Sequence, residues 1–158
     1  MEISLYQIAE RFIGMKEIPG TEHNPQILAM LHLDASWPEG DETPWCSAFL
    51  NYCAWLLDLP RSKSLRARSW LQRGIAVDVP KRGFDVVILS RGTSWHTQPG
   101  PEVIDAPGHV GLFSSFGYGR NGLDEQVWLL GGNQGDSVSI ASFDRRRILG
   151  IRRLWSVD

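Results

Sequence analysis

The sequence is short of cysteine, of net charge and of long apolar runs, and each shortage narrows what the protein can be. Its two cysteines, Cys46 and Cys53, are seven positions apart. On one helix they would lie roughly 10 Å apart, beyond the ~7 Å Cα separation of a disulfide. The formal net charge is −2, so the broad basic surface typical of nucleic-acid binding is missing. No stretch approaches the ~18 apolar residues of a membrane span. We therefore expect free thiols, no nucleic-acid partner and no membrane span.

The N-terminal segment lacks the features of a secretory signal. Glu2, Glu10 and Arg11 are mixed with its apolar residues, so it has neither a basic start nor an uninterrupted apolar stretch. We expect synthesis in the cytoplasm without a signal peptide. Action on a substrate outside the cytoplasm would then require release or delivery by another component.

Sequence patterns for metal and nucleotide binding are also lacking. There is no C-x-x-C, no H-E-x-x-H and no paired-histidine spacing, so zinc binding is not predicted. The segment Gly117–Gly122 misses the dinucleotide fingerprint by one position and does not lie between a predicted strand and a helix. We expect neither a metal nor an organic cofactor.

What is present fits one catalytic domain over residues 1–158, because 42% of the residues are hydrophobic and 22% are charged. Helix signals dominate the first part of the chain: a capping box at Ser4–Gln7, then Asn24-Pro25 and Thr43-Pro44, each an N-cap followed by a first-turn proline. From Asp85 onward the segments are short and rich in β-forming residues. Helices followed by strands predict an α+β fold with an antiparallel sheet.

A long loop, Arg91 to Pro107, separates two of the predicted strands, and we expect it to form part of a substrate cleft. A fourth helix is predicted before it, over Ser64 to Leu71. The predicted strands are Val86 to Leu89, His109 to Phe113, Val127 to Leu130, Val138 to Phe143 and Ile148 to Leu154.

Cys46 lies close to the predicted start of the third helix. With the Thr43-Pro44 start, its thiol would occupy about the third helical position, where free N–H groups and the helix dipole favour a thiolate. Asp41 and Glu42 would oppose ionisation if they faced the sulfur, and a buried, inert cysteine is the alternative interpretation. Cys53 falls in mid-helix on the apolar face, so we predict that it is a packing residue.

His109 has the best setting for a general base. It begins a predicted strand directly after Gly108, so its ring can project from a sheet edge into a cleft. The remaining histidines lie in segments typical of an exposed surface: His23, His32 and His96.

Asn133 is the candidate for a third catalytic group. A hairpin turning at Asn121-Gly122 would bring the end of its strand beside His109. A cysteine, a histidine and an amide that orients the imidazole form the Cys-His-Asn variant of the catalytic triad. The alternative is that Asn133 is only a turn residue after two glycines.

Four motifs, taken in order, resemble the CHAP and NlpC-type cell-wall hydrolases of the papain-like group. They are Pro44–Phe49 (PWCSAF), Asp85–Ile88 (DVVI), Gly108–Gly111 (GHVG) and Gly131–Gln134 (GGNQ). The resemblance runs from about Ile8 to Leu154. It implies a papain-like fold with N-terminal helices packed on a C-terminal sheet, with Cys46 as nucleophile, His109 as base and Asn133 as the orienting residue.

The resemblance further implies a peptidoglycan hydrolase, a cysteine endopeptidase or amidase that cleaves an amide bond of the bacterial cell wall. The size resembles a phage lysin released through a pore-forming partner, or an antibacterial effector with an immunity protein, and we expect a monomer. The alternative is that the protein is not an enzyme but a wall- or glycan-binding module. Its recognition surface would then consist of Trp45, Trp70, Trp95 and Trp128.

Overall fold

The computed structural model describes residues 2–19, 23–34, 44–92, 94–122 and 124–154. Within these ranges the chain forms α1 (Leu5–Glu10), α2 (Pro25–Leu31) and α3 (Cys46–Leu56), then a 3-10 helix over Ala67–Gln72. The strands are β1 (Ile75–Ala76), β2 (Asp85–Ser90), β3 (Gly108–Tyr118), β4 (Glu125–Gln134), β5 (Ser137–Asp144) and β6 (Ile148–Arg153). They form one antiparallel sheet in the order β1-β6-β2-β3-β4-β5. The predicted α+β class is confirmed.

The first two helices begin where their caps predict. Ser4 Oγ accepts a hydrogen bond from the Gln7 N–H at 3.1 Å, and Gln7 Oε1 accepts one from the Ser4 N–H at 2.8 Å. At α2, the Asn24 side chain accepts from the Gln26 N–H at 2.8 Å, and Pro25 is the first helical residue. Such a cap contributes about 1 kcal/mol to helix stability. Local sequence is therefore enough to fix these two ends.

The third helix begins later than predicted. Trp45 is its N-cap, without a side-chain hydrogen bond, and Cys46 is its first residue rather than its third. The predicted cap, Thr43, lies outside the described residues. The Trp45 indole is fully buried and donates from Nε1 to Glu17 Oε1 at 2.7 Å. Tertiary packing of an aromatic side chain, not a local cap, defines this helix start.

The segment predicted as a fourth helix is instead the 3-10 helix Ala67–Gln72. Just before it, Ser64 Oγ accepts from the Arg66 N–H at 3.1 Å, and Ser69 Oγ donates to the Arg66 carbonyl at 2.6 Å. Serine side chains that bond the nearby backbone compete with the regular α-helical pattern. This competition explains why only a short, tight helix forms.

The sheet has an apolar cluster on each face. The larger cluster joins α1, α2 and α3 to one face of the sheet. The smaller one covers part of the other face and includes Val87, Leu89, Phe113 and Leu129. Because β2 lies between them, its four apolar residues are all buried, which explains its unbroken hydrophobic run.

Five of the six strands are those predicted, although β3 and β4 are longer than expected. The two-residue β1 was not predicted, because both of its residues are exposed and it shows no alternating pattern. The longest helix in the described ranges, α3, has 11 residues, so no helix there could cross a bilayer.

Candidate active site

The first residue of α3 meets the beginning of β3. Cys46 is 2% exposed and His109 is 4% exposed. The His109 side chain and the backbone N–H of Val110 lie close enough to the Cys46 sulfur to lower its pKa. The fold therefore brings together the thiol and the imidazole that the sequence analysis selected.

The electrostatics of this contact favour a thiolate. Burial by itself raises the pKa of the Cys46 thiol. The charge and hydrogen bond of His109 oppose that effect, assisted by the Val110 N–H and the positive charge of Arg91, and together they hold the pKa below its ordinary value. None of the other three histidines contributes to this shift. A cysteine with a lowered pKa at a helix start is the usual setting of a reactive thiol.

Two features hold the start of α3 against the sheet. A Cβ at Gly132 would lie 2.7 Å from Trp45 Cζ3 and 2.8 Å from Phe49 Cβ, so only glycine allows the helix to approach β4 this closely. The residue after the nucleophile candidate, Ser47, is fully buried and accepts a hydrogen bond from Trp70 Nε1 at 2.9 Å. The thiol thus lies on a helix end that is fixed from two sides.

The side chain that is hydrogen-bonded to the His109 ring is that of Gln134, not that of the predicted Asn133. His109 Nε2 and Gln134 Oε1 are 2.9 Å apart in a buried hydrogen bond. The Gln134 amide nitrogen donates to the carbonyl oxygens of Leu129 at 3.1 Å and Ser139 at 2.8 Å. The amide oxygen is therefore left to accept from the ring, which assigns a proton to Nε2 and leaves Nδ1 for the thiol.

A bulge near the end of β4 explains the difference of one residue. The β3–β4 pairing sets Leu112 opposite Leu130, and continuing it for three residues would set His109 opposite Asn133. The pairing with β5 shifts by one residue in this stretch, and Asn133 has φ 57, in the left-handed region that asparagine tolerates. The extra residue reverses the side-chain alternation and brings Gln134 to the face that carries His109.

The space needed by Gln134 comes from a neighbouring glycine. A Cβ at Gly131 would lie 2.6 Å from Gln134 Oε1. Asn133 itself is half-buried and lines the cleft beside His109 without forming the ring contact. The Asn-Gln pair after two glycines was a usable signal for this site, but choosing between its members required knowledge of the bulge.

Two clefts flank the thiol and imidazole. One, of about 390 Å³, is lined by Pro44, Cys46, Arg66, Arg91 and Pro107, among others. The other, of about 240 Å³, is lined by His109, Asn133, Gln134, Phe143, Arg91 and Arg147, among others. A larger groove of about 650 Å³ beside residues 11–19 has no cysteine or histidine among its described lining residues. The thiol and the imidazole therefore each line a cleft, and Arg91 lines both clefts.

Comparison with known proteins supports the same architecture. The sequence matches no protein-family model and no curated protein sequence. Among solved structures it is similar to NlpC1 from Trichomonas vaginalis, with a TM-score of 0.53 and 16% identity, over 97% of this chain and 44% of that one. The fold is of the NlpC type. At this identity the likeness shows the fold alone, and the chain spans less than half the length of that protein. The likeness supports the NlpC half of the motif resemblance and not the CHAP half specifically.

In this NlpC-type fold, the long loop predicted to line a cleft does so. Its residues 105–107 line the cleft that contains Cys46. The loop is held by Arg68, whose Nε donates to the Pro107 carbonyl at 2.9 Å and whose Nη1 donates to the Pro99 and Gly100 carbonyls at 2.8 Å each. Arg68 is fully buried, and its Nη2 has no hydrogen-bond partner within the described residues. This role was not predicted, because no local pattern shows which distant carbonyls an arginine will bind.

The competing candidates have weaker settings. Cys53 is free and fully buried, and burial raises the pKa of its thiol, as expected of a packing residue. Trp45 and Trp70 are fully buried, so the four tryptophans do not form the shared recognition surface considered as an alternative. Within the described ranges, no group of three or more histidine, cysteine, aspartate or glutamate side chains is arranged to hold a metal ion.

Proposed function

We propose that this protein is a cysteine hydrolase that cleaves an amide bond of bacterial peptidoglycan. Cys46 is the nucleophile, His109 is the general base and acid, and Gln134 orients the imidazole. The observation that carries the proposal is a buried helix-start thiol whose pKa is lowered by His109, while His109 is itself hydrogen-bonded to the Gln134 amide. A nucleophile, a base and a group that orients the base are the three parts that such catalysis requires.

The reaction begins with attack of the Cys46 thiolate on the carbonyl carbon of the scissile amide. The protonated His109 gives its Nδ1 proton to the departing nitrogen as the carbon–nitrogen bond breaks, which leaves a thioester and a free amine. A water molecule, deprotonated by the same imidazole, then attacks the thioester and releases a carboxylate. The thiol is regenerated, and Nε2–H remains bound to Gln134 throughout.

The negative oxygen that forms during each attack requires donors that are already in place. The N–H of Cys46 is the first of α3 and therefore has no intrahelical acceptor. It lies beside the attacking sulfur, so we assign it as one donor of the oxyanion hole. Loss of one such donor in other hydrolases lowers kcat by a factor on the order of 100 to 1,000.

The substrate class is supported by the cell-wall hydrolase motifs and the NlpC-type fold. On this proposal the peptide extends from the cleft lined by Cys46 to the cleft lined by His109. Within this class we propose a lysin or antibacterial effector that acts on the cell wall after release or delivery. Its partner would be a pore-forming protein in the first case and an immunity protein in the second.

The decisive test compares Cys46→Ala with Cys53→Ala on purified peptidoglycan. Cys46→Ala should release no muropeptides, as measured by mass spectrometry, while its circular dichroism and Tm stay close to those of the wild type. Cys53→Ala is the matched control, because it removes the same atom from the same helix and should keep turnover. Wall cleavage by a folded Cys46→Ala variant at more than a few per cent of the wild-type rate would refute the assignment. The masses of the products also identify the bond that is cut.

A further inference from the structure

Arg91 occupies the junction of the two clefts. It directly follows β2, whose last residue, Ser90, pairs with Gly108 immediately before His109. Arg91 is among the residues that line the cleft with Cys46 and also among those that line the cleft with His109. A substrate that passes over the thiol from one cleft to the other must therefore pass Arg91.

The Arg91 side chain is half-buried, yet no residue of the described ranges forms a hydrogen bond or ion pair with its guanidinium. The acidic residue that lines the same cleft, Asp105, lies 3.9 Å from Arg66 instead. The charge of Arg91 nevertheless acts on its surroundings, since it helps to lower the pKa of Cys46. Arg91 thus places a cation close to the sulfur, and no carboxylate of the described residues pairs with it.

A second arginine, Arg147, lines the same cleft as Arg91 and His109. Arg147 is fixed, because its Nε and Nη2 donate to the Ser90 carbonyl at 3.0 and 2.9 Å, and it lies 5.4 Å from the Phe143 ring centroid. The pKa of Arg147 is lowered, first by burial and further by the positive charge of Arg91, against the opposing effect of Asp144. Two neighbouring cations repel each other unless an anion binds between or beside them. An anion bound beside Arg91 would reduce this repulsion.

We propose that Arg91, supported by Arg147, binds a free carboxylate of the substrate on a residue flanking the scissile amide. This inference rests on the proposed function and deepens it, since it names the substrate feature that the site selects. A planar guanidinium with free donors matches a carboxylate in a two-point hydrogen bond. The same peptide with a carboxamide at that position would offer no negative charge to the pair.

The subsite can be tested first without any peptidoglycan, by alkylating Cys46 with iodoacetate and with iodoacetamide. In both reactions the thiolate displaces iodide and forms a thioether, but only iodoacetate carries a carboxylate. We expect the iodoacetate-to-iodoacetamide rate ratio to fall about tenfold in Arg91→Gln, equivalent to about 1.4 kcal/mol. Arg91→Lys should give an intermediate ratio, because lysine keeps the positive charge but lacks the paired N–H donors of the guanidinium.

The ratio separates carboxylate binding from a simple effect on the thiol. Loss of the Arg91 charge should also raise the pKa of Cys46 and so reduce the fraction of the thiol that is ionised. That change lowers the rates of both reagents by the same factor and leaves their ratio unaltered. Arg120→Gln is the charge-matched control, because Arg120 is exposed and follows β3 at the end opposite to His109. Cys46→Ala measures the background from Cys53. An unaltered ratio in Arg91→Gln would overturn the subsite.

A comparison of two peptidoglycan substrates then tests the carboxylate subsite separately from the proposed hydrolase function. Wild-type protein should cleave peptidoglycan fragments with free carboxylates about tenfold better in kcat/KM than the same fragments converted to carboxamides, and Arg91→Gln should remove most of that preference. Equal cleavage of both by the wild type would overturn the carboxylate subsite and leave the hydrolase assignment standing. Cleavage of neither, together with an Arg91-dependent alkylation ratio, would support the anion site and refute the peptidoglycan assignment.

Discussion

Cys46 and Cys53 lie on the same helix and are almost equally buried, yet the pKa of Cys46 is lowered and that of Cys53 is raised. Burial raises the pKa of both thiols. At Cys46 that effect is outweighed by His109, the Val110 N–H and Arg91, whereas at Cys53 nothing opposes it. The comparison shows that burial alone does not decide the direction in which the pKa of a cysteine shifts. What decides its chemistry is whether the fold delivers a donor and a positive charge to the sulfur.

Replacing His109 should have the largest effect on the difference between the two thiols, because Cys46 would then be a buried cysteine without its main pKa-lowering partner, as Cys53 is. In His109→Ala the thiol keeps its burial and loses its strongest opposing partner, so its pKa should rise above the ordinary value. Turnover should fall by a factor on the order of 100 or more.

The pH profile of iodoacetamide alkylation measures this change. In the wild type the rate should be nearly constant down to a pH below the ordinary thiol pKa and then decrease as the thiolate is protonated. In His109→Ala the rate should be at least about tenfold lower at neutral pH and should increase only in alkaline solution. Identical profiles for the two proteins would show that His109 does not control the thiol.

The next effect concerns the residue that orients the ring. Gln134→Ala should lower kcat by roughly two- to twelve-fold for the lost hydrogen bond, and by more if the imidazole turns. Combined with His109→Ala, it should cause little further loss, because no ring remains to be oriented.

Asn133→Ala is the matched control for Gln134→Ala. It should leave kcat near that of the wild type and reduce stability by roughly 1 to 2 kcal/mol, because alanine is disfavoured at φ 57. Steady-state kinetics and urea unfolding measure the two effects. A larger kcat loss in Asn133→Ala than in Gln134→Ala would return the orienting role to Asn133.

The smallest effect on activity is expected at Cys53. Cys53→Ala removes a fully buried sulfur with no polar partner, so it should lower the free energy of unfolding by about 1 kcal/mol or more and leave kcat unchanged. The midpoint of urea unfolding and the rate of wall hydrolysis measure the two quantities. Loss of turnover in a folded Cys53→Ala variant would show that the two cysteines had been assigned the wrong roles.

Sequence reasoning succeeded where local patterns control the structure. The caps at Ser4 and Asn24 are local, and so is the order of helices before strands that defines the α+β class. The pairing of Cys46 with His109 was predicted from the resemblance of the motifs that contain them, PWCSAF and GHVG, to cell-wall hydrolases. The α3 start shows the limit, since it depends on where the Trp45 ring packs.

The remaining differences arise from register and from long-range contacts. Strict alternation along β4 predicts that Asn133 faces His109, and a single bulge residue gives the hydrogen bond with His109 to Gln134 instead. Arg91 and Arg68 act through groups far away in the chain, one beside the thiol and one on a loop more than 30 positions later. Such long-range contacts leave no periodic pattern in the sequence. The positions of Arg91 and Arg68 beside the cleft were therefore found only in the structure.

The way in which Arg68 holds the cleft loop has a consequence for how specificity can change. All of its hydrogen bonds in this loop are to backbone carbonyls, those of Pro99, Gly100, Val103 and Pro107. Backbone carbonyls are present whatever side chains the loop carries, so the loop can exchange its exposed side chains and still be held against the same buried cation. One wall of the Cys46 cleft can thus diversify in sequence while the thiol and the imidazole stay in register, which makes this loop a natural place to redesign substrate preference.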